Sequence, residues 1–415
     1  MDFYQNGPAT LHDLQPERRG HARALVRKHV AARPAALLLP MLYSEMERPA
    51  LLGIRQGLRK ADFLNEIVIA LTCENSNEVE NVRDFFQDLP APVTVLWCEG
   101  PTVREGMERL AERGFDLRGY SGKGLAVWLG LGAASEDNYA IALHDADIEH
   151  YDPKIVHRIL LPIVVPEMDF YFAKGYYARL TGERMFGRVV RLFLWPFLDA
   201  LQTVIPKPSP LLRYMRSFRY PLSGEMAMTS DLARNIRIPT DWGLELGVMG
   251  EVYRNATMKR ICQVDLGLYS HKHQSVGGGA SEGLQRMSMD IASTVFRLLA
   301  SLEGVTITPE TLVTLRVAYR REAQDAIRQY HMDSLANGLV YDRHDEEVVV
   351  ETLEPLITEA GRGFMTAPSK DQIGEWLRAI AADPESPQRM RGLKAVPVGE
   401  RAKLLAAARQ DTANL

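Results

Sequence analysis

Four apolar runs, separated by segments of helical period, occupy the stretch from residue 35 to residue 144 of this 415-residue chain and most restrict its fold. The runs are Ala35–Leu39, Glu66–Cys73, Val93–Cys98 and Tyr139–His144. Short, nearly continuous apolar runs rich in β-branched residues read as strands buried on both faces. Asn77–Asp88, Thr102–Arg113 and Gly124–Leu131 read as helices between them. Strands alternating with helices imply an α/β fold with a mostly parallel sheet covered on both faces. The first run is expected to stop at Pro40, and Asp169–Lys174 to add another strand. Ligands of such sheets bind at the carboxyl ends of strands. That rule points to Pro40–Glu45, Thr72–Asn75, His144–Asp147 and the residues from Lys174 onward.

The rest of the chain divides by composition. Residues 1–33 form a basic leader of helical pattern carrying Arg18, Arg19, Arg23, Arg27, Lys28 and Arg33. Residues 34–150 and 151–305 make up the two halves of the α/β body. Residues 306–415 form a charged, helical C-terminal extension, with helices expected over Thr311–His331, Asp345–Ala360 and Lys370–Ala382 and a short one over Arg401–Leu415. Lysine and arginine number 49 against 53 acidic residues, a net charge of −4. There is no bulk positive surface for phosphate neutralisation, so nucleic acid is not an expected partner. Cys73, Cys98 and Cys262 are far apart and form no C-x-x-C, which argues against a disulfide framework or structural zinc and for a reducing, cytoplasmic compartment. Met1–Arg19 lacks the pattern of a secretory signal. Val189–Ile205 is interrupted by Arg191, Pro196, Asp199 and Gln202, so it reads as a buried or amphipathic helix, with no membrane association expected.

The chemistry concentrates at strand ends. His144-Asp145-Ala146-Asp147 follows an apolar strand, and in extended backbone residues i and i+2 point the same way. Two carboxylates on one face suit Mg²⁺ or Mn²⁺ holding a diphosphate. A solvated turn is the plainer alternative, since Asp is common in turns. Ser121-Gly122-Lys123-Gly124 opens a helix: glycine admits close backbone approach, a helix N-terminus attracts anions, and Lys123 adds a point charge. An ordinary loop remains the alternative there, because the full phosphate-loop pattern is absent. His271 and His273 form a His-x-His pair, which either ligates metal or lies in a surface turn. No G-x-S-x-G, H-E-x-x-H or kinase signature occurs.

Several segments in order resemble glycosyltransferase family 81. Pro221-Leu222-Ser223-Gly224-Glu225 is the same as the family's P-L-S-G-E. Gly243-Leu244-Glu245-Leu246-Gly247 is similar to its G-V-E-I-G. Gln263-Val264-Asp265-Leu266-Gly267 followed by His271 is similar to its Q-V-N-L-G…H, and Gly122-Lys123-Gly124 and the D-x-D match in place. The resemblance spans about Leu37 to Leu299. It implies a GT-A-type, Rossmann-like nucleotide-diphospho-sugar transferase fold, with residues 34–150 as the nucleotide-sugar half and 151–305 as the acceptor half. It further implies retaining, divalent-metal-dependent transfer of glucose from a nucleotide diphosphate sugar, UDP-glucose above all, to 3-phosphoglycerate. By the same resemblance Asp147 and His271 would ligate the metal (Mg²⁺ or Mn²⁺). Pro40, Leu42, Glu45, Gly122, Lys123, Asp145, Ala146 and Glu245 would bind the nucleotide sugar. Gly187, Arg188, Val190, Tyr269 and His273 would line the acceptor site, with Arg188 on the acceptor phosphate. Asp147, Glu245 and Lys123 would be catalytic, and the chain would form a homodimer.

The family's P-A-L-N-E-E reads Pro40-Met41-Leu42-Tyr43-Ser44-Glu45 here, and Val190, Tyr269 and His273 stand where members can carry Thr, Arg and Asn. A mannosyl donor or a glycerate acceptor are the neighbouring alternatives, and a metal-dependent nucleotidyltransferase is the alternative of another class. Retention without an evident nucleophile fits a same-face displacement. In it the leaving diphosphate, stabilised by metal and Lys123, assists deprotonation of the acceptor hydroxyl; Glu245 as covalent nucleophile is the competing version.

Overall fold

The computed structural model describes residues 7–15, 19–269, 280–368 and 372–391. Two compact units emerge, neither contiguous in sequence. The first, here the sheet unit, comprises Gln15–Ala173, Glu225–Asn235 and Gly374–Leu415; the second, the helical unit, comprises Met1–Leu14, Lys174–Gly224 and Ile236–Ile373. Strands and α-helices are numbered along the chain. The units do not follow the contiguous division at residues 33, 150 and 305, because a short segment after residue 224 and the chain's last part both return to the sheet unit.

In the sheet unit β2 (Ala35–Leu42), β3 (Glu66–Thr72), β4 (Val93–Trp97) and β5 (Ala140–Leu143) run parallel, and β8 (Met226–Thr229) joins β5 antiparallel. The order is β8-β5-β2-β3-β4. The helices of this unit are α1 (Arg19–His29), α2 (Pro49–Leu58), α3 (Ser76–Phe86), α4 (Pro101–Glu112), α5 (Gly122–Ser135), α6 (Lys154–Val164), α9 (Ser230–Asn235), α14 (Trp376–Ala382) and α15 (Ser386–Met390). Local chemistry sets their starts: Asn75 accepts a hydrogen bond from the Glu78 N–H at the head of α3, and Pro101 opens α4.

β2 does not stop at Pro40 but continues to Leu42, with Pro40 opposite Ala70 of β3. The Leu38 carbonyl faces β5, where it accepts from the His144 N–H, so by alternation Pro40 faces the same side. Pairing with β5 ends at Leu38 opposite Leu143, so the missing N–H of Pro40 costs no ladder bond.

The C-terminal segment closes this unit. Trp376 stacks on Trp128 of α5, with ring centroids 3.9 Å apart and planes 11° from parallel. Its Nε1 donates to the Trp128 carbonyl at 2.6 Å, and the Trp128 Nε1 donates to the Gly374 carbonyl at 2.7 Å. Gly132 makes room: a Cβ there would sit 2.0 Å from the Trp376 ring. Arg391 reaches Glu66 of β3 at 2.5 Å and Asp137 at 2.7 Å, while Thr94 donates to the other Glu66 oxygen at 2.7 Å.

The helical unit holds β1 (Ala9–Leu11), β6 (Phe172–Thr181), β7 (Arg184–Met185), β9 (Ile238–Pro239), β10 (Ile261–Tyr269) and β11 (Gln372–Ile373). β1 pairs parallel to β10, β7 antiparallel to β6, and β11 antiparallel to β9. Its helices are α7 (Trp195–Val204), α8 (Pro210–Arg216), α10 (Leu244–Asn255), α11 (Ala280–Glu303), α12 (Pro309–Ala336) and α13 (Arg343–Thr366), with a π-helical turn over Val189–Leu194. α13 packs on α11 and α12, and α12 on α7. Val189–Ile205 is core, with Phe193 stacked on Phe197 and edge-on to Tyr319.

Three further elements differ from the sequence pattern. The leader is not helical throughout, because Ala9–Leu11 finds a partner strand in β10. β6 starts at Phe172, since Asp169 adopts a left-handed φ of 55° and turns the chain, which leaves Lys174 inside a strand. Of Lys370–Ala382, only Trp376–Ala382 is helical and Gln372–Ile373 pairs as a strand. The expected helix over Arg401–Leu415 lies outside the described residues. All three cysteines are free and buried. Among the described residues no helix is long and apolar enough to cross a membrane.

Candidate functional site

Just past the carboxyl end of β5 the D-x-D alternates in burial: Asp145 and Asp147 are half-buried, Ala146 and Ile148 buried. Both carboxylates therefore lie on the open side of the segment. His144 just before them is buried, and that burial pushes its pKa down to about 4, so the ring is neutral. Its Nδ1 lies 2.9 Å from the Asp145 carbonyl, which can only accept, so Nδ1 carries the proton. Nε2 then accepts from the hydroxyl of the half-buried Tyr151 at 3.0 Å. A chain of two hydrogen bonds thus fixes the backbone of the acidic segment. A side chain at Gly57 of α2 would strike the Tyr151 ring.

The N-terminus of α5 supplies positive potential to the same edge. Gly122 has φ +77°, and a Cβ there would meet only open space. Ser121 makes no side-chain cap to the helix. Lys123 projects from the first turn and pairs with Asp145, Nζ to Oδ1 2.7 Å. One ammonium, a helix N-terminus and two carboxylates therefore meet in one unit, a donor set suited to hard cations and phosphate oxygens. At the carboxyl end of β2, the strand beside β5, Pro40 is buried and Leu42 exposed, and just beyond it Glu45 is buried and paired with Arg48 at 3.1 Å. Tyr43, one of the departures from the family segment, accepts from the Asn81 side chain at 2.9 Å.

The remaining candidates fall in the helical unit. Gly187 has a φ of +78° at the turn after β7. Arg188 follows it, partly exposed and paired with Glu346 of α13, Nε to Oε1 2.7 Å. Val190 is buried in the π-helical turn, so its side chain is core and not a solvent-facing wall. Glu245 is half-buried in the first turn of α10. Tyr269 ends β10, and its side chain is not described; His271, expected as a metal ligand, and His273, expected in the acceptor site, lie outside the described residues.

Two of the shared segments carry side chains that tie the helical unit together. Ser223 donates to the Gly175 carbonyl and accepts at its own carbonyl from the buried Lys174 ammonium, both at 2.6 Å. Gln263 donates to Thr10 and to the Ser217 carbonyl, each at 3.1 Å, and accepts from the Arg219 N–H at 2.8 Å. Tyr151 and Glu346 escaped the sequence reading because nothing in the pattern marks a lone tyrosine in a turn or a lone glutamate in a helix.

A curated glucosyl-3-phosphoglycerate synthase from Methanococcoides burtonii is 44% identical over 387 residues, spanning 93% of this chain and 95% of its own. Its counterpart from Persephonella marina is 40% identical over 389 residues, spanning 92% and 96%. Among solved structures, Mycobacterium tuberculosis glucosyl-3-phosphoglycerate synthase, in complex with Mn²⁺, UDP and glucosyl-3-phosphoglycerate, superposes with a TM-score of 0.51 at 20% identity, over 72% of this chain and 89% of that one. At that identity the likeness concerns the fold. No family model matches the chain. The long, high-identity matches, with the D-x-D edge and the lysine-bearing helix in place, establish that this chain belongs to the glucosyl-3-phosphoglycerate synthase family of nucleotide-sugar-dependent glycosyltransferases.

Proposed function

We propose that the protein transfers glucose from UDP-glucose to 3-phosphoglycerate with retention at the anomeric carbon. The observation that carries this is the convergence of Lys123, at the head of α5, on Asp145 of the D-x-D. The M. burtonii and P. marina relatives bear the synthase name along nearly their whole length, and the M. tuberculosis enzyme has been captured with Mn²⁺, UDP-glucose and phosphoglyceric acid.

The half-buried, outward carboxylates at the end of β5 fit a divalent cation, with Asp147 as ligand and His271 as the second ligand suggested by resemblance. When bound, Mg²⁺ or Mn²⁺ would neutralise charge on the diphosphate. Asp145 orients the ribose side of the nucleotide and exchanges its ion pair with Lys123 for substrate contacts. Lys123 and the α5 N–H groups then hold the leaving diphosphate, whose oxygen takes the proton of the acceptor hydroxyl on the same face. Pro40, Leu42, Glu45 and Gly122 border the nucleotide, Glu245 contacts the donor sugar, and Gly187 and Arg188 receive the acceptor, Arg188 at its phosphate. A homodimer in the cytoplasm completes the proposal, supported by the resemblance and by the three unpaired cysteines; a monomer by light scattering would refute the first part.

The test is Asp147→Ala. Release of UDP coupled to glucosyl-3-phosphoglycerate formation should fall by about 10³-fold or more, as expected when stabilisation of developing charge is removed. Turnover retained with unchanged metal dependence would sink the assignment.

A further inference from the structure

The C-terminal helices hold the arginine segment of the helical unit at three places. The loop between α12 and α13 pairs with β7: Val340 donates to the Glu183 carbonyl at 2.7 Å and bridges Arg184. Tyr319 of α12 donates to the Leu192 carbonyl at 2.8 Å. Between them Glu346, its side chain only 5% exposed, sits against both Arg188 and Arg191.

The two arginines are not equivalent. Arg191 is 6% exposed; its Nη1 lies 2.9 Å from Glu346 Oε2. Its Nε and Nη2 donate to the carbonyls of Phe186 and Met185 at 3.0 and 3.4 Å, which pins the turn that leads into Gly187. A buried guanidinium needs a counter-charge, and the one carboxylate of Glu346 meets that need. Arg188 is then the surplus cation. It is 27% exposed and engages Oε1 through Nε at 2.7 Å. A guanidinium held at Nε keeps its two terminal nitrogens for an end-on, bidentate oxyanion. A pair built only to bury charge would need one arginine.

We propose that Glu346, on α13, is a positioning residue for the acceptor: it orients Arg188 and, through Arg191, fixes the Gly187 turn, so that the C-terminal helices shape the acceptor's anion site. This rests on the reading of Arg188 as partner of the acceptor phosphate. Glu346→Ala frees Arg188 and should raise the KM for 3-phosphoglycerate about tenfold or more, the worth of one charge-assisted hydrogen bond. The KM for UDP-glucose and the kcat at saturating acceptor should change by less than about threefold. Glu346→Gln, whose amide oxygen still accepts from Nε, should recover part of the loss, and it carries the same comparison if the alanine variant does not fold. An acceptor KM equal to wild type in both variants, or equal rises in both KM values, overturns the inference. Calorimetric binding of 3-phosphoglycerate in the presence of UDP and Mn²⁺ separates the two readings. Binding by the wild-type chain without turnover refutes the activity while a tenfold weakening in Glu346→Ala still supports the positioning role; no binding by the wild-type chain refutes the positioning role.

Discussion

Truncating Trp376 tests whether the returning C-terminal segment stabilises the sheet unit. Trp376 is 2% exposed, stacked at 3.9 Å on Trp128, and hydrogen-bonded to the Trp128 carbonyl at 2.6 Å. Removing a buried aromatic ring to Ala costs about 3–5 kcal/mol. The ring pair accounts for about 1 kcal/mol of that beyond its area, and the lost N–H donor for about 1 kcal/mol more. In units of 150–250 residues each kcal/mol lowers Tm by about 2–4 °C, so Trp376→Ala should lower the Tm of the sheet unit by about 6–20 °C. Trp376→Phe, which keeps stacking and loses the donor, should fall by only a few degrees. Differential scanning calorimetry reads both. Because the void lies beside Gly132 in the same helix that carries Lys123, UDP-glucose binding should weaken along with stability. A folded Trp376→Ala protein whose Tm moves by less than about 3 °C would show that the stack is incidental contact.

Two further expectations concern buried charge. Arg391→Met strands the carboxylate of Glu66, which is 3% exposed, and loss of one partner of a buried pair costs about 3–5 kcal/mol; the double variant Arg391→Met with Glu66→Leu should regain most of that stability in chemical denaturation, and failure to do so would refute the pairing argument. His144 and His157 are each held by burial at a pKa of about 4, below their ordinary 6.5. The unfolded chain therefore binds protons that the folded chain does not. Their contribution is complete above pH 6.5 and is lost as pH falls toward 4, up to about 3 kcal/mol for each group. Tm measured from pH 7.5 to 4.5 should decline below 6.5, and His157→Leu should flatten part of that decline; an identical profile would count against it.

The four parallel strands of the sheet unit were readable because each buries both faces and recurs between helical segments, which writes itself as a series of apolar runs. β1, β8 and β11 are three, four and two residues long and exist through their partners, so no local pattern announces them. Pro40 misled for an informative reason: its side of β2 has already lost its neighbour, a fact of register. Within the site, Asp145, Asp147 and Lys123 were legible because strand alternation and a helix start are local. Tyr151, which locks His144, and Glu346, which meets Arg188 from 158 positions away, are set by tertiary approach alone.

The distances along the chain that the sheet unit closes have a bearing on biosynthesis. Trp128 and Trp376 are 248 positions apart, and Glu66 and Arg391 are 325. Domains ordinarily fold as they leave the ribosome, amino end first. Here the strands emerge early, but the partners for the back of α5 and for the carboxylate of β3 arrive after the whole helical unit has been translated. Until then Trp128 is stacked only by Phe115, at 6.0 Å, and Glu66 lacks Arg391. Such non-local closure slows folding, and the sheet unit is completed only once Trp376 and Arg391 have left the exit tunnel.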